Sequence, residues 1–195
     1  MILALLLSLN GQWQVIKLNT KHFKMIRQHL LIALFLLILG IFDGSFSYVF
    51  QKYFYTNTMS LICRIMLMGL VLTIFFIPNE RYIVLIAAIV GLIYDSFFTG
   101  ILGIHAFLLG LLAYVLRYFA DDIPHTPLFI GLVYVLSLAF VETGVYYINA
   151  FIGMTRVDFT DFVATTLGPT IALNVVLFII LYFPLSRLLL KLKTE

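Results

Sequence analysis

The chain has 195 residues, of which 63% are hydrophobic and only 11% are charged. In soluble domains about a quarter of the residues are charged. This composition therefore excludes a soluble globular protein and predicts an all-α integral membrane protein. The net charge of +3 does not indicate a nucleic-acid partner, because the basic residues lie mainly near the ends of apolar segments, where such residues orient a chain in the lipid bilayer.

Residues 1–24 precede the first apolar segment that is long enough to cross a membrane. A spanning helix needs about 20 apolar residues, and the apolar run 1–9 is too short and lacks the basic start of a signal peptide. The residues from Met25 onward read as an ordinary start before a first span. We therefore expect 1–24 to be an extension upstream of a true start at Met25, or else an interfacial segment, and 25–195 to form one membrane domain.

Apolar segments of spanning length follow one another along the rest of the chain, and Asp43 and Gly44 interrupt the first of them near its end. The six segments cover approximately residues 30–48, 58–77, 82–98, 101–119, 128–150 and 162–182. The connections between them are too short to hold a folded domain. Function must therefore lie within the spans or on their surfaces.

The distribution of Lys and Arg predicts that both termini are cytoplasmic, because cytoplasmic loops are enriched in these residues. With six spans, only Lys52 and Arg156 fall outside, and Arg64 falls within the second span. The residues predicted to lie inside are Lys17, Lys21, Lys24, Arg27, Arg81, Arg117, Arg187, Lys191 and Lys193.

The third and fourth spans form a tight hairpin around Thr99 and Gly100, with Asp95 before the turn and His105 after it. Each polar residue is costly in hydrocarbon and needs a partner or water. Both lie about five residues from Gly100, so a carboxylate–imidazole hydrogen bond across the hairpin is expected to clamp the two helices. A proton or ligand site, or a solvent-exposed interfacial pair, is the alternative.

Glu142 lies in the middle of the fifth span, where an unpaired carboxylate is costly. Arg64 lies at a matching depth in the second span, so an intramembrane ion pair between them is the favoured interpretation, with a transport site as the alternative. Asn174 in the sixth span is expected to form an interhelical hydrogen bond.

Several glycines have spacings that favour close helix contact. Gly40 and Gly44 form a Gly-x-x-x-Gly pattern, and Gly103 and Gly110 lie seven residues apart on the fourth span. We expect these four glycines to be contact points for a neighbouring helix, either within the chain or from a partner.

No pattern of a catalytic or cofactor site accompanies these features. Cys63 is the single cysteine, so no intrachain disulfide can form. The sequence has no Cys/His cluster with metal spacing, no glycine-rich phosphate loop and no nucleophile elbow. We therefore predict that the protein is not an enzyme and holds no cofactor and no metal.

The hairpin carries a short motif that resembles the bacterial rod shape-determining protein D family, MreD, and the resemblance extends over about 25–193. The motif consists of Gly91-x-x-x-Asp95, a short turn, Leu102-Gly103-x-x-Ala106, and Tyr114 further on. The turn contains Gly100, and His105 lies within the second half of the motif.

The resemblance implies a non-enzymatic role in the bacterial plasma membrane, in the elongation machinery that guides lateral peptidoglycan synthesis and regulates cell shape. It implies association with MreC, a bitopic partner, and indirectly with MreB, RodA and a class B penicillin-binding protein. It also implies a six-helix fold similar to the substrate-binding S-components of energy-coupling-factor transporters.

The alternative function is that of a substrate-binding membrane subunit of a vitamin or small-solute transporter. Such subunits typically carry Ala-x-x-x-Ala in the first span for docking to the coupling protein. Here Ala33 is followed four residues later by Leu37, so that signature is absent. Proton-coupled transport through Asp95, His105, Glu142 and Arg64 is a third possibility, and it would need a water-filled cavity.

Overall fold

The computed structural model describes residues 2–54, 59–78 and 80–192, with side chains described from residue 26 onward. The regular elements in this part of the chain are helices. They are α1 (Ile2–Val49), α2 (Gln51–Phe54), α3 (Ile65–Phe76), α4 (Ile83–Tyr94), α5 (Ile104–Phe119), α6 (Pro127–Phe151), α7 (Phe159–Phe162) and α8 (Gly168–Leu192). Wider π-helical turns at Asp95–Thr99 and Val163–Leu167 follow α4 and precede α8.

Four helical segments in the described residues are long and apolar enough to cross a membrane, as expected of a multi-pass membrane protein. They are Ile26–Val49, Ile104–Asp122, Pro127–Phe151 and Phe159–Leu192. The second and third predicted spans are shorter apolar helices, Ile65–Phe76 and Ile83–Thr99. The prediction of six full-length spanning helices therefore holds for four of them.

The short helix α3 lies at the centre of the bundle. Every residue from Ile65 to Phe75 is buried, and α3 packs against α1, α5, α6 and α8. The surrounding helices expose large apolar side chains on their outer faces, for example Leu136 on α6 and Ile179 on α8. Exposed apolar surface of this extent is expected where a protein faces lipid.

The second predicted span is not a continuous helix, because residues 59–64 are extended and α3 begins only at Ile65. The Ser60 amide donates to the Thr165 carbonyl (2.8 Å), and the Ile62 amide donates to Thr170 Oγ1 (3.1 Å). Non-helical backbone at membrane depth is tolerated only where protein or water satisfies its polar groups. Here the π-helical turn before α8 and the start of α8 supply those partners.

Asp43 of α1 completes the start of α3. Its Oδ1 accepts the Ile65 amide (2.6 Å) and its Oδ2 accepts the Met66 amide (2.9 Å). The first amides of a helix have no partner within the helix, so a buried helix start needs an acceptor of this kind. The carboxylate also lies at the positive end of the helix dipole.

Two local expectations are corrected. Asp43 and Gly44 do not interrupt the first span, because α1 continues to Val49 and Gly44 lies directly against the Phe98 ring, where a Cβ would clash. The fourth span begins at Ile104 rather than at 101, since positive φ angles at Gly100 (73°) and Gly103 (104°) extend the turn.

Some expectations fall on parts of the chain that the structure does not describe. Residue 58, where the second span is predicted to begin, lies outside the described residues, as do Lys193 and the side chains of Lys17, Lys21 and Lys24. The backbone of residues 2–25 continues α1. The proposed start at Met25 stays a prediction.

We predict that Asp43→Ala lowers the stability of the protein in detergent by about 1–2 kcal/mol, because the start of α3 loses its acceptor. Asp43→Asn keeps one acceptor oxygen and should lose less. Ser45→Ala, an exposed position two residues away on α1, is the control. The melting temperature, measured from the fluorescence of a dye that binds the unfolding protein, reports the effect. Equal melting temperatures for Asp43→Ala and Ser45→Ala would contradict the prediction.

Candidate functional site

Buried polar side chains from four of the helices, from the π-helical turn after α4 and from the extended segment gather towards the end of the bundle that holds the α4–α5 hairpin. Each of these side chains belongs to a residue that is at most 6% exposed, and we call the group the polar core. Its members are Asp43, Arg64, Asp95, His105, Tyr134, Glu142, Thr170 and Asn174. Such groups are expensive in a membrane unless they are paired, so their hydrogen bonds determine what the site can do.

Asp95 binds both the side chain and the backbone of the helix that follows it. Its Oδ1 accepts from His105 Nδ1 (2.7 Å) and from Thr99 Oγ1 (3.1 Å). Its Oδ2 accepts the amides of Gly103 (2.9 Å), His105 (2.9 Å) and Ala106 (3.3 Å). One carboxylate therefore caps the start of α5 and fixes the proton of His105 on Nδ1.

The glycines of the hairpin allow this geometry. Gly100 and Gly103 adopt left-handed backbone conformations that favour glycine. Gly91 on α4 lies against α5, and a Cβ there would lie 2.8 Å from the Cα and the amide nitrogen of Ala106. The hairpin motif thus converges on one contact, except for Leu102 and Tyr114, whose side chains are exposed.

Arg64 connects the extended segment to α6 and α4. Its Nε donates to Glu142 Oε1 (2.5 Å), and its Nη1 donates to the Tyr94 hydroxyl (3.3 Å). The Tyr94 ring lies 5.0 Å from the His105 ring between centroids. The Arg64–Glu142 pair and the Asp95–His105 pair are therefore joined through Tyr94.

The backbone of Arg64 is held by α6 and α8. Its amide donates to Asn174 Oδ1 (2.9 Å), and its carbonyl accepts from the Tyr134 hydroxyl (3.1 Å). Asn174 Nδ2 donates to the carbonyls of Ile62 (2.7 Å) and Thr170 (2.8 Å). Asn174 Oδ1 also accepts from the Tyr134 hydroxyl of α6 (3.0 Å). Asn174 therefore forms the interhelical hydrogen bond expected of it, and it holds the extended segment as well.

The comparisons with known proteins agree with the motif in the hairpin. The family model described as rod shape-determining protein MreD matches residues 24–192. The chain belongs to the MreD family. The rod shape-determining protein MreD of Bacillus subtilis (strain 168) is 30% identical over 143 residues, which cover 73% of this chain and 82% of that protein. No solved structure matches. Membership in MreD supports a role in determining cell shape.

The sequence alone did not identify every member of this MreD-family polar core. Asp43 was visible as a carboxylate within an apolar segment, which is a signal for a partnered group. Tyr134 and Thr170 gave no signal, since both residue types are common in spans. At the opposite end of the bundle, His29 Nδ1 lies 2.5 Å from Oε1 of the buried Glu80. The sequence did not suggest this contact, because Glu80 lies in a connection between two predicted spans.

The four candidate contact glycines lie against this chain's own helices or serve the turn. A Cβ at Gly40 would lie 3.0 Å from Met66 Sδ, Gly44 contacts Phe98, and a Cβ at Gly110 would lie 3.4 Å from Ala88 Cβ. Gly103 is required by its backbone conformation. Gly40, Gly44 and Gly110 therefore contact helices or side chains of their own chain, and contact of a partner helix with these glycines stays a prediction.

The polar core can hold helices in place, and its carboxylates are already engaged. The carboxylates of Asp43, Asp95 and Glu142 accept hydrogen bonds from within the chain. Among the described side chains, no group of three His, Cys, Asp or Glu residues could hold a metal ion. His105 Nε2 is buried and lacks a hydrogen-bond partner among the described atoms.

The close α4–α5 contact gives a matched pair of substitutions. We predict that Gly91→Ala destabilises the protein by about 1–3 kcal/mol, because the added methyl group meets backbone that cannot move easily. Gly110→Ala introduces an ordinary contact at 3.4 Å and should leave the stability unchanged or slightly raised. Thermal unfolding of both variants in one detergent tests this. A Gly91→Ala protein as stable as Gly110→Ala would contradict the close contact between α4 and α5.

Asp95 and His105 should be energetically coupled. Removing one leaves the other buried without its partner, at a cost of about 1–3 kcal/mol, and Asp95→Ala should cost more than His105→Ala because it also uncaps α5. In a double-mutant cycle the double variant should lose less than the sum of the single losses. Asp121→Ala, at an exposed carboxylate, paired with His105→Ala should be additive. Strict additivity for Asp95 and His105 would show that they do not interact.

Proposed function

We propose that this MreD-family chain is a non-enzymatic scaffold of the bacterial plasma membrane that helps to guide lateral peptidoglycan synthesis and so regulates cell shape. The observation that carries this proposal, beside family membership, is the state of the polar core. Its carboxylates are buried and bonded to Arg64, to His105 or to backbone amides, so they are used to build the bundle.

The same observation argues against solute transport. Transporter sites use broken helices whose free backbone groups and polar side chains face a substrate or a water-filled cavity. This chain also has a broken helix, but the side chains of Asp43, Thr170 and Asn174 already form hydrogen bonds with the backbone groups at the break. A break whose backbone groups are bonded within the chain suits a fixed framework better than a transport pathway.

The proposed partner is a bitopic protein like MreC, and the protein would act through it on MreB, RodA and a class B penicillin-binding protein. The contact surface is proposed to lie on the lipid-facing helices, because the connections 123–126 and 152–158 are short. Exposed apolar side chains on α1 and on the π-helical turn after α4, such as Ile41 and Phe97, are available for such contacts.

We also propose six membrane crossings with both termini in the cytoplasm, in an arrangement similar to the S-components of energy-coupling-factor transporters. The segment 59–76 supports a crossing although its helix is short. Twelve helical residues reach about 18 Å, and the extended residues 59–64 add about 20 Å, which together exceed a hydrocarbon core of about 30 Å. The helical segment Ile83–Thr99 reaches about 25 Å, which modest local thinning accommodates.

The scaffold role predicts a change of shape without a change of transport. Depletion of the protein in its native host should round or swell the cells, and expression of the chain from a plasmid should restore rods. Affinity purification in mild detergent should recover a bitopic wall-elongation partner. Normal morphology on depletion, together with uptake of a small solute that depends on this protein, would instead support the transporter function.

The proposed topology predicts a pattern of cysteine labelling. In a Cys63→Ala background, Lys52→Cys and Arg156→Cys should react with an impermeant maleimide on intact cells or spheroplasts. Arg81→Cys and Arg117→Cys are also exposed positions, and they should react only after the membrane is permeabilised. The background protein itself should stay unlabelled, and the reverse pattern of labelling would overturn the topology.

A further inference from the structure

A groove of about 500 Å³ lies between α6 and α8, and apolar side chains line it. Phe178 of α8 packs across it towards Gly131 of α6, where a Cβ would lie 3.0 Å from the phenyl ring. Val135 and Phe183 lie at its two walls. Tyr134 of the polar core stacks on Phe178, with 5.6 Å between the ring centroids, but the hydrogen bonds described above for the polar core do not involve the residues that line the groove.

The groove occupies one half of the membrane. On α6 it runs from Pro127, the first residue of the helix, to Val135, which is about 12 Å along the axis. It therefore lies at the end of the bundle opposite the α4–α5 hairpin. In the proposed topology this is the cytoplasmic leaflet.

A basic stripe continues the groove on α8. Val175, Ile179 and Phe183 line the groove at intervals of four residues, and the next positions at this spacing are Arg187 and Lys191. Both basic residues are exposed, and neither forms an ion pair with a carboxylate in the described part of the chain. An apolar groove thus leads to free positive charge at the level of the lipid headgroups.

We propose that this groove binds an anionic phospholipid of the cytoplasmic leaflet, with one acyl chain along Val135 and Ile179 and the headgroup phosphate on Arg187. The guanidinium group suits a phosphodiester because it can donate two hydrogen bonds to it. Basic positions between membrane helices on the cytoplasmic side recognise anionic headgroups in this way. A protein helix in the groove would fill the apolar part but would not require the aligned charge. The inference rests on the proposed topology and not on the scaffold role.

Native mass spectrometry of the purified full chain tests the headgroup site. The probes are phosphatidylglycerol and phosphatidylcholine with identical acyl chains, added at equal concentration. The wild type should retain phosphatidylglycerol preferentially, and Arg187→Gln should reduce that preference about fivefold, as expected for one basic residue. Arg187→Lys should keep part of it, and Arg156→Gln, which removes an exposed charge in the connection between α6 and α7, should not change it.

The groove itself is tested by filling it. Val135→Trp should lower the retention of both lipids, whereas Ile180→Trp, on an exposed face of α8 outside the groove, should not. Equal retention of the two lipids by the wild type, or an Arg187→Gln protein that behaves like Arg156→Gln, would overturn the proposal. So would a Val135→Trp protein that binds lipid normally but loses a co-purifying membrane protein, since the groove would then be a helix-docking surface. If Val135→Trp does not fold, the Arg187 variants decide alone.

Discussion

The helix α3 begins inside the bundle, and the need to satisfy the backbone at that point organises the rest of the polar core. Its first amides bond to Asp43, and the extended residues before it bond to Thr170 and Asn174. Unsatisfied backbone groups in a membrane cost several kcal/mol each. The partners on α1 and α8 are therefore as necessary as the apolar packing around α3. The ion pair of Arg64 with Glu142 ties the same point to α6.

This arrangement explains how a chain rich in intramembrane charges can serve a structural role. A buried ion pair is weak evidence for stability, because desolvation offsets much of the attraction, but breaking one by removing a single partner costs about 3–5 kcal/mol. The broken span is connected to the hairpin by contacts of Tyr94 with Arg64 and with His105. The network fixes the relative positions of the helices, and the lipid-facing surfaces remain for the proposed partner and the proposed lipid.

The sequence predicted the membrane class and the hairpin contact because both depend on local information. Asp95 and His105 are ten residues apart around a glycine turn, so their depths could be compared directly, and the same comparison paired Arg64 with Glu142. The break at residues 59–64 could not be predicted, because the stretch is mostly apolar and contains no Gly or Pro that would end a helix. Its cause lies in Thr170 and Asn174, more than a hundred residues away. Likewise, glycine spacing could not show which side chains of this chain lie against Gly40 and Gly44.

The central claim is that the charged groups of the polar core serve the fold. Replacement of the ion pair by apolar residues tests it most directly, because such replacements often preserve stability when both partners change together. Arg64→Met and Glu142→Leu should each reduce folding and rod-shape complementation on their own. The double variant should recover most of the thermal stability and restore rod-shaped cells in the depleted host. A double variant that is folded and inserted but leaves the cells round would contradict the account, since the charges themselves would then be required for function.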